Sequence, residues 1–202
     1  MTLNEITEKL SERVKRALSR MPFITRLNES ELSAIENEFG FIFPPDLRFF
    51  LQTPVPKGGS FVNWHSMSSI RKAMEWPWEG IAFDIENNVF WYDSWGEKPD
   101  NLHEQLEVAK SFYDKYPKLI PIYAHRYMPA TPTEAGNPIF SVYQTDIVYY
   151  GYDLASYLDV EFGFKRYESL FPKENPYEHF KHIEFWSDMA MGIHDGLSLI
   201  NP

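Results

Sequence analysis

The chain has no cysteine. Disulfides, zinc ribbons and thiol nucleophiles are therefore excluded, and the composition fits a reducing, cytoplasmic setting. No apolar run reaches the ~18 residues of a membrane span. The opening Met1-Thr2-Leu3-Asn4-Glu5 lacks the charged and apolar regions of a secretory signal. Cations are in deficit, 19 against 29 acids, for a formal charge of −10. Such a surface repels phosphate backbones, so nucleic acid is not the expected partner. It suits a basic protein surface, since complementary charge speeds encounter. The phosphate-binding spacings GxxxxGK[ST] and GxGxxG are missing, and so are the zinc-helix HExxH and the nucleophile elbow GxSxG. His179 and His182 are three apart with no further ligand type beside them, so no metal and no cofactor is expected. There is no internal repeat and no low-complexity tract.

What is present is a large apolar and aromatic content. Of 202 residues, 44% are hydrophobic and 17% aromatic, enough for one domain with a substantial core. The densest stretch is Leu119–Gly151. Its runs Ile120–Tyr123, Ile139–Tyr143 and Ile147–Tyr150 are rich in β-branched and aromatic residues and are cut by Gly, Pro and Asp, as adjacent strands are. Between the first two runs lies a polar loop stiffened by Pro129, Pro132 and Pro138, which holds His125, Arg126 and Tyr127.

Helical spacing marks the rest. Residues 3–19 place Leu3, Ile6, Leu10 and Val14 on one stripe. Asn28 with Glu31 forms a capping box, flanked by Leu27 and Leu32 as a staple, and Gly40 stops that helix. Pro45 opens a short second helix carrying Leu47, Phe50 and Leu51. Phe61–Trp64 is a short strand candidate. A helix over Met67–Met74 is expected to end in Glu75-Trp76-Pro77-Trp78-Glu79-Gly80. Ile81–Asp84 and Val89–Tyr92 then read as a hairpin. A helix follows over 101–116, closed by Pro117. Asp153 caps another, Leu154–Glu161, and a second capping box at Asn175-Pro176-Tyr177-Glu178 opens a helix running to Gly192. The expected fold is a single α+β domain: a mainly antiparallel sheet of five or six strands with helices packed on it.

The order of signals over LNESELSAIENEFGFIFPPDLRFFL, with Leu32, Ile35, Glu36, Gly40, Pro44, Asp46, Phe50 and Leu51 on the pattern, resembles the opening of the SUKH superfamily of cell-wall-regulator-like immunity proteins. The paired apolar and aromatic strand candidates and the strand leading into the Asp153-capped helix extend the resemblance over about 28–162. The N-terminal helix and residues 163–202 are additions, expected to pack on that core.

The resemblance implies a non-catalytic protein that binds and neutralises a cognate toxin, often a nuclease. The sequence contributes the acidity and the exposed aromatics that would meet a basic toxin face. The partner-binding candidates are Trp76, Trp78 and Trp95, expected in loops, the acids Asp84, Glu86, Asp93 and Glu97 after strand ends, and the trio His125, Arg126 and Tyr127. Two alternatives stand beside this reading. One is a regulatory or scaffolding module, as in fungal members of the superfamily. The other is a hydrolase-like enzyme in which Arg126 grips an anion and His125 moves a proton with help from an Asp. In the structural reading of the trio, both side chains only satisfy the loop.

Overall fold

A computed structural model of the chain describes residues 8, 12, 24–53, 55–56 and 60–193. The helix expected over 3–19 lies outside these residues, apart from Glu8 and Glu12. The fold is α+β. Its centre is a four-stranded antiparallel meander in chain order: β3 (Leu119–Tyr123), β4 (Arg126–Pro129), β5 (Ile139–Tyr143) and β6 (Asp146–Gly151). A two-residue pair, β1 (Ile24–Thr25) with β2 (Val55–Pro56), stands apart from it.

Over β3, β4 and β5 both faces of the meander are covered, which explains why β3 and β5 read as nearly continuous apolar runs, whereas burial alternates along the edge strand β6. One face carries Ile120, Ile122, Met128 and Ile139. It packs on α1 (Glu29–Phe39), α2 (Pro45–Gln52) and α5 (Leu154–Glu161) through Leu32, Ile35, Leu47, Phe50, Leu51 and Leu158. The other carries Leu119, Tyr127, Phe140, Val142, Ile147 and Tyr149. It meets α3 (Met67–Asn87), α4 (Leu102–Tyr113) and α6 (Trp186–Ala190). Successive strand residues alternate between these faces, as the pleat requires.

The local signals at the first two helices form as read. Asn28 accepts from the Glu31 amide at 3.0 Å, and the Glu31 carboxylate takes the Asn28 amide at 2.8 Å. Gly40 closes α1 at φ 64°, and Pro45 begins α2. Asp153 caps α5 through the Ser156 amide at 2.6 Å. Between α2 and the sheet, the buried Asp46 carboxylate accepts the Gly136 amide at 2.9 Å and so ties down the loop between β4 and β5.

Three expectations fail, each because a tertiary contact outweighs a local signal. The hairpin over 81–92 does not form. The helix that was to stop near Met74 runs on through Pro77 and Gly80 to Asn87, 21 residues in all. A proline inside a helix removes one amide and orphans the carbonyl four residues back, a loss of about 3 kcal/mol. Here that carbonyl belongs to Ala73, and the Tyr127 hydroxyl donates to it at 2.9 Å. Gly80 has its own reason. A Cβ there would lie 2.7 Å from Gln144 Cα in the turn between β5 and β6, so only glycine lets the helix approach. Ile81, Asp84 and Ile85 then fall on one buried helical face.

The second failure concerns the strand count. Phe61–Trp64 contributes only an isolated bridge, Phe61 to Tyr123. Arg126–Pro129, read as loop, is strand β4 and pairs with both β3 and β5. Four strands therefore stand where five or six were expected.

The third lies at the C-terminal end. No helix spans Tyr177–Phe185, and α6 is confined to Trp186–Ala190. Phe185 adopts φ 65° and is fully buried, stacked on Tyr116 at 4.6 Å with a 5° interplanar angle. Ser187 Oγ accepts the Ile183 amide at 2.7 Å, which a continuous helix would have bonded internally. Aromatic packing thus overrides the capping-box pattern. The segment is nonetheless part of the core, with Ile183, Trp186 and Met189 buried in the second cluster.

The Pro77–Tyr127 arrangement makes a testable thermodynamic cycle. Tyr127→Phe leaves the half-buried Ala73 carbonyl without its protein donor and is expected to destabilise by about 1–2 kcal/mol. Pro77→Ala restores an amide that can reach the same carbonyl. In that background the Tyr127→Phe loss should shrink to well under ~1 kcal/mol, read by denaturant unfolding of the four variants.

Candidate functional site

The ten candidate residues separate into three groups. Asp84 and Trp95 are inside the protein, 4% exposed each. The Asp84 carboxylate accepts the Thr145 amide at 2.8 Å, the Thr145 hydroxyl at 2.6 Å and the Asn88 amide group at 2.5 Å. It fastens the end of α3 to the turn between β5 and β6. Trp95 lies in a short 3-10 helix, Asp93–Trp95, not an open loop, and its Nε1 donates to the Tyr116 hydroxyl at 3.1 Å. Neither residue offers a surface to a partner. Trp78, expected in a loop, is a half-buried residue of α3, with Lys110 Nζ 5.3 Å from its ring centre.

Arg126 is also structural. Strand alternation puts it on the same face as Met128, toward α5. There its Nε lies 3.2 Å from Glu161 Oε2, its Nη1 donates to Ser141 Oγ at 2.8 Å, and its guanidinium sits 3.7 Å from the centre of the Tyr150 ring. The pair is largely sheltered, with side-chain exposures of 12% and 15%. His125 stands in the two-residue turn between β3 and β4, and no acid is bonded to its ring. The arrangement proposed for a hydrolase, in which His125 and Arg126 share a site with an Asp, is not assembled among the described residues.

Two surfaces remain. The first is a groove of about 620 Å3 between α3 and the β3–β4 turn, which brings together Trp76, His125 and Tyr127 from the candidate set. Ser69, Lys72, Ala73 and Trp76 lie on one helical face, at spacings of three and four. Tyr127 forms the floor, with its hydroxyl committed to Ala73. Trp76 is in α3, not a loop, and its ring lies 6.3 Å from that of Tyr143. Trp76 is 39% exposed and Tyr143 54%. Tyr143 is the exposed last residue of β5, and no local sequence signal marked it for this surface.

The second surface is the loop after α3. Glu86, Asp93 and Glu97 are all exposed here, together with Phe83 at 46% and Val89 at 78%. The Asp84 carbonyl takes the amides of both Asn88 and Phe90, at 2.9 and 3.1 Å, and Lys98 Nζ donates to the Val89 carbonyl at 3.1 Å. Val89 is thereby held at φ 62°. Left-handed residues commonly close helices, but glycine or asparagine fills that place, because a β-branched side chain clashes there. Nothing in the local sequence singles Val89 out. Asn87-Asn88 marks a turn, and the strand pattern after it hides the cap.

No protein-family model, no curated protein and no solved structure matches the chain. Among the described residues no group of three or more His, Cys, Asp or Glu is placed to hold a metal ion, and no helix is long and apolar enough to cross a membrane.

Burial first, and then the neighbouring Arg126 charge, hold the His125 pKa below its ordinary 6.5. Its neutral form is thus favoured by folding. Between the two pKa values the unfolded chain binds more protons, so stability is full above 6.5 and declines as pH falls through that value. His125→Gln should flatten this part of the stability–pH curve, and a ring titration followed by NMR should show a midpoint below 6.5.

Proposed function

We propose that the protein is a non-catalytic protein-binding module whose contact surface is the loop after α3. The observation that carries this reading is Val89. A β-branched residue in the left-handed region costs of order 1–3 kcal/mol, and residues held this way concentrate at functional sites. With 78% of its surface exposed, Val89 gains little from the protein's own core. A side chain that strains the backbone and projects into solvent is explained by a partner that buries it. Phe83, six residues earlier on α3, adds exposed apolar area, and the exposed Glu86, Asp93 and Glu97 add negative charge at the end of α3 and in the loop that follows it. An apolar knob among acids fits a basic partner with a matching pocket.

The SUKH resemblance supplies the partner class. Its pattern over residues 28–51 falls on α1 and α2, and its acidic residue is the buried Asp46 that anchors the β4–β5 loop. In this reading the chain is a bacterial-type immunity protein. It covers the active surface of one cognate toxin, and a nuclease fits because such a toxin presents a cationic face. A regulatory scaffold would instead bind several cellular partners through the same loop.

The reading is tested with the toxin domain encoded beside the gene. The chain is expected to bind it at one-to-one stoichiometry and to protect cells that express it; absence of both binding and protection overturns the proposal. Val89→Gly separates stability from binding. Relief of strain should raise Tm by about 2–4 °C, while loss of the knob weakens the complex about tenfold or more. Association should also slow as salt rises, because exposed charges are screened over about 8 Å at physiological ionic strength. A salt-independent on-rate would remove the acids from the contact.

A further inference from the structure

The groove between α3 and the β3–β4 turn is independent of the Val89 loop, and its polar groups are in an unusual state. The chain has a second concavity, of about 390 Å3, lined by Arg71, Lys110 and Lys118 among others. There every cation has a protein partner. Arg71 pairs with Glu38, Lys110 pairs with Asp114, and Lys118 Nζ donates to the Phe39 and Gly40 carbonyls at 2.7 and 3.2 Å. These cations complete helix ends and neighbouring acids.

In the larger groove the reverse holds. Among the described residues, the Lys72 ammonium, the His125 ring, the Ser69 hydroxyl and the Tyr143 phenol have no hydrogen-bond or ion partner. No carboxylate lines the groove. In a chain of net charge −10, a concave surface with a free ammonium and no acid is a local exception. Its remaining walls are flat and apolar: Phe61, Val62, Ala73, Trp76, and Tyr143. The volume lies within the roughly 300–1,000 Å3 of small-molecule sites, which are largely apolar with a few convergent polar groups.

We propose that this groove is a binding site for a small planar organic anion, an aryl carboxylate in chemical class, with its ring against Trp76 and Tyr143 and its carboxylate at Lys72. The apolar walls bury the ring, the ammonium neutralises the charge, and the hydroxyl of Ser69 and the His125 ring offer hydrogen bonds at the rim. Charge complementarity selects an anion over a cation, and the aromatic walls select a flat body over a bare inorganic ion.

The test uses the full chain with 2-naphthoate, and with 2-naphthamide as its uncharged counterpart, by titration calorimetry and ligand-observed NMR. The naphthoate is expected to bind saturably with a Kd below roughly 1 mM and roughly three- to fivefold tighter than the amide, the range of an exposed ion pair. Lys72→Gln, a change at an exposed side chain, should abolish that preference and leave the affinity for the amide as it was. Trp76→Leu should weaken both ligands, with an unchanged circular dichroism spectrum as the control for folding. Absence of saturable naphthoate binding overturns the proposal. So does an undiminished preference for the anion in Lys72→Gln, which would place the molecule elsewhere on the protein. Neither result bears on toxin binding through Val89, whose failure would in turn leave the groove's titration intact.

Discussion

The hydrogen bond from the Tyr127 hydroxyl to the Ala73 carbonyl allows the rest of the structure to exist in its present form. Pro77 deprives that half-buried carbonyl of its helical partner, and a sheltered carbonyl without a donor costs free energy. With the donor supplied from strand β4, the helix passes through the proline and runs on to Asn87. Gly80 then rests against Gln144, and Asp84 gathers the amide and hydroxyl of Thr145. One bond between a strand and a helix carbonyl thus brings about a long contact between α3 and the sheet.

The two surfaces described above lie at the two halves of that helix. The first half of α3 presents Ser69, Lys72, Ala73 and Trp76 to the groove. The second half ends in the cap that holds Val89. Had the helix stopped before Pro77, the wall of Ser69, Lys72, Ala73 and Trp76 would remain, but the strained knob at Val89 would not be in place. The two surfaces also differ in charge. Among the described residues the groove has an unpaired ammonium and no acid, whereas the exposed residues at and after the end of α3 include Glu86, Asp93 and Glu97. A single helix therefore separates an anion-attracting concavity from an acidic convexity.

The fate of His125 and Arg126 shows how neighbours in sequence part company in space. Adjacent residues at a strand start point to different environments. Arg126 is drawn to Glu161 and the face of Tyr150, in the layer under α5. His125, in the turn, looks to the groove beside α3. A catalytic partnership between them needs one shared face, and the pleat denies it. The same pleat accounts for Tyr127, which turns from the polar trio into the floor between sheet and helix.

Much of the fold was legible because its signals are local. A capping box needs only Asn28 and Glu31, a left-handed stop only Gly40, a helix start only Pro45 or Asp153, and these act over a single turn of chain. The strands at 119–123 and 139–143 were legible because nearly all their residues are buried on both faces, which writes itself as an unbroken apolar run, and the strand at 146–151 because its β-branched and aromatic residues follow a turn signal. The extent of α3, the strand at Arg126–Pro129, the short helix at Trp186 and the exposure of Val89 were not. The first three rest on a partner far along the chain: Tyr127 for Pro77, Ser141 for Arg126, Tyr116 for Phe185; the loop at Val89 is held by Asp84 and Lys98, five and nine residues away, in contacts that no local pattern marks. The sequence by itself determined where helices are capped and which runs lie in the sheet, since these depend on neighbours within a few residues. Tertiary structure alone decided whether a proline ends a helix and which face a histidine meets, since the compensating groups come from other elements.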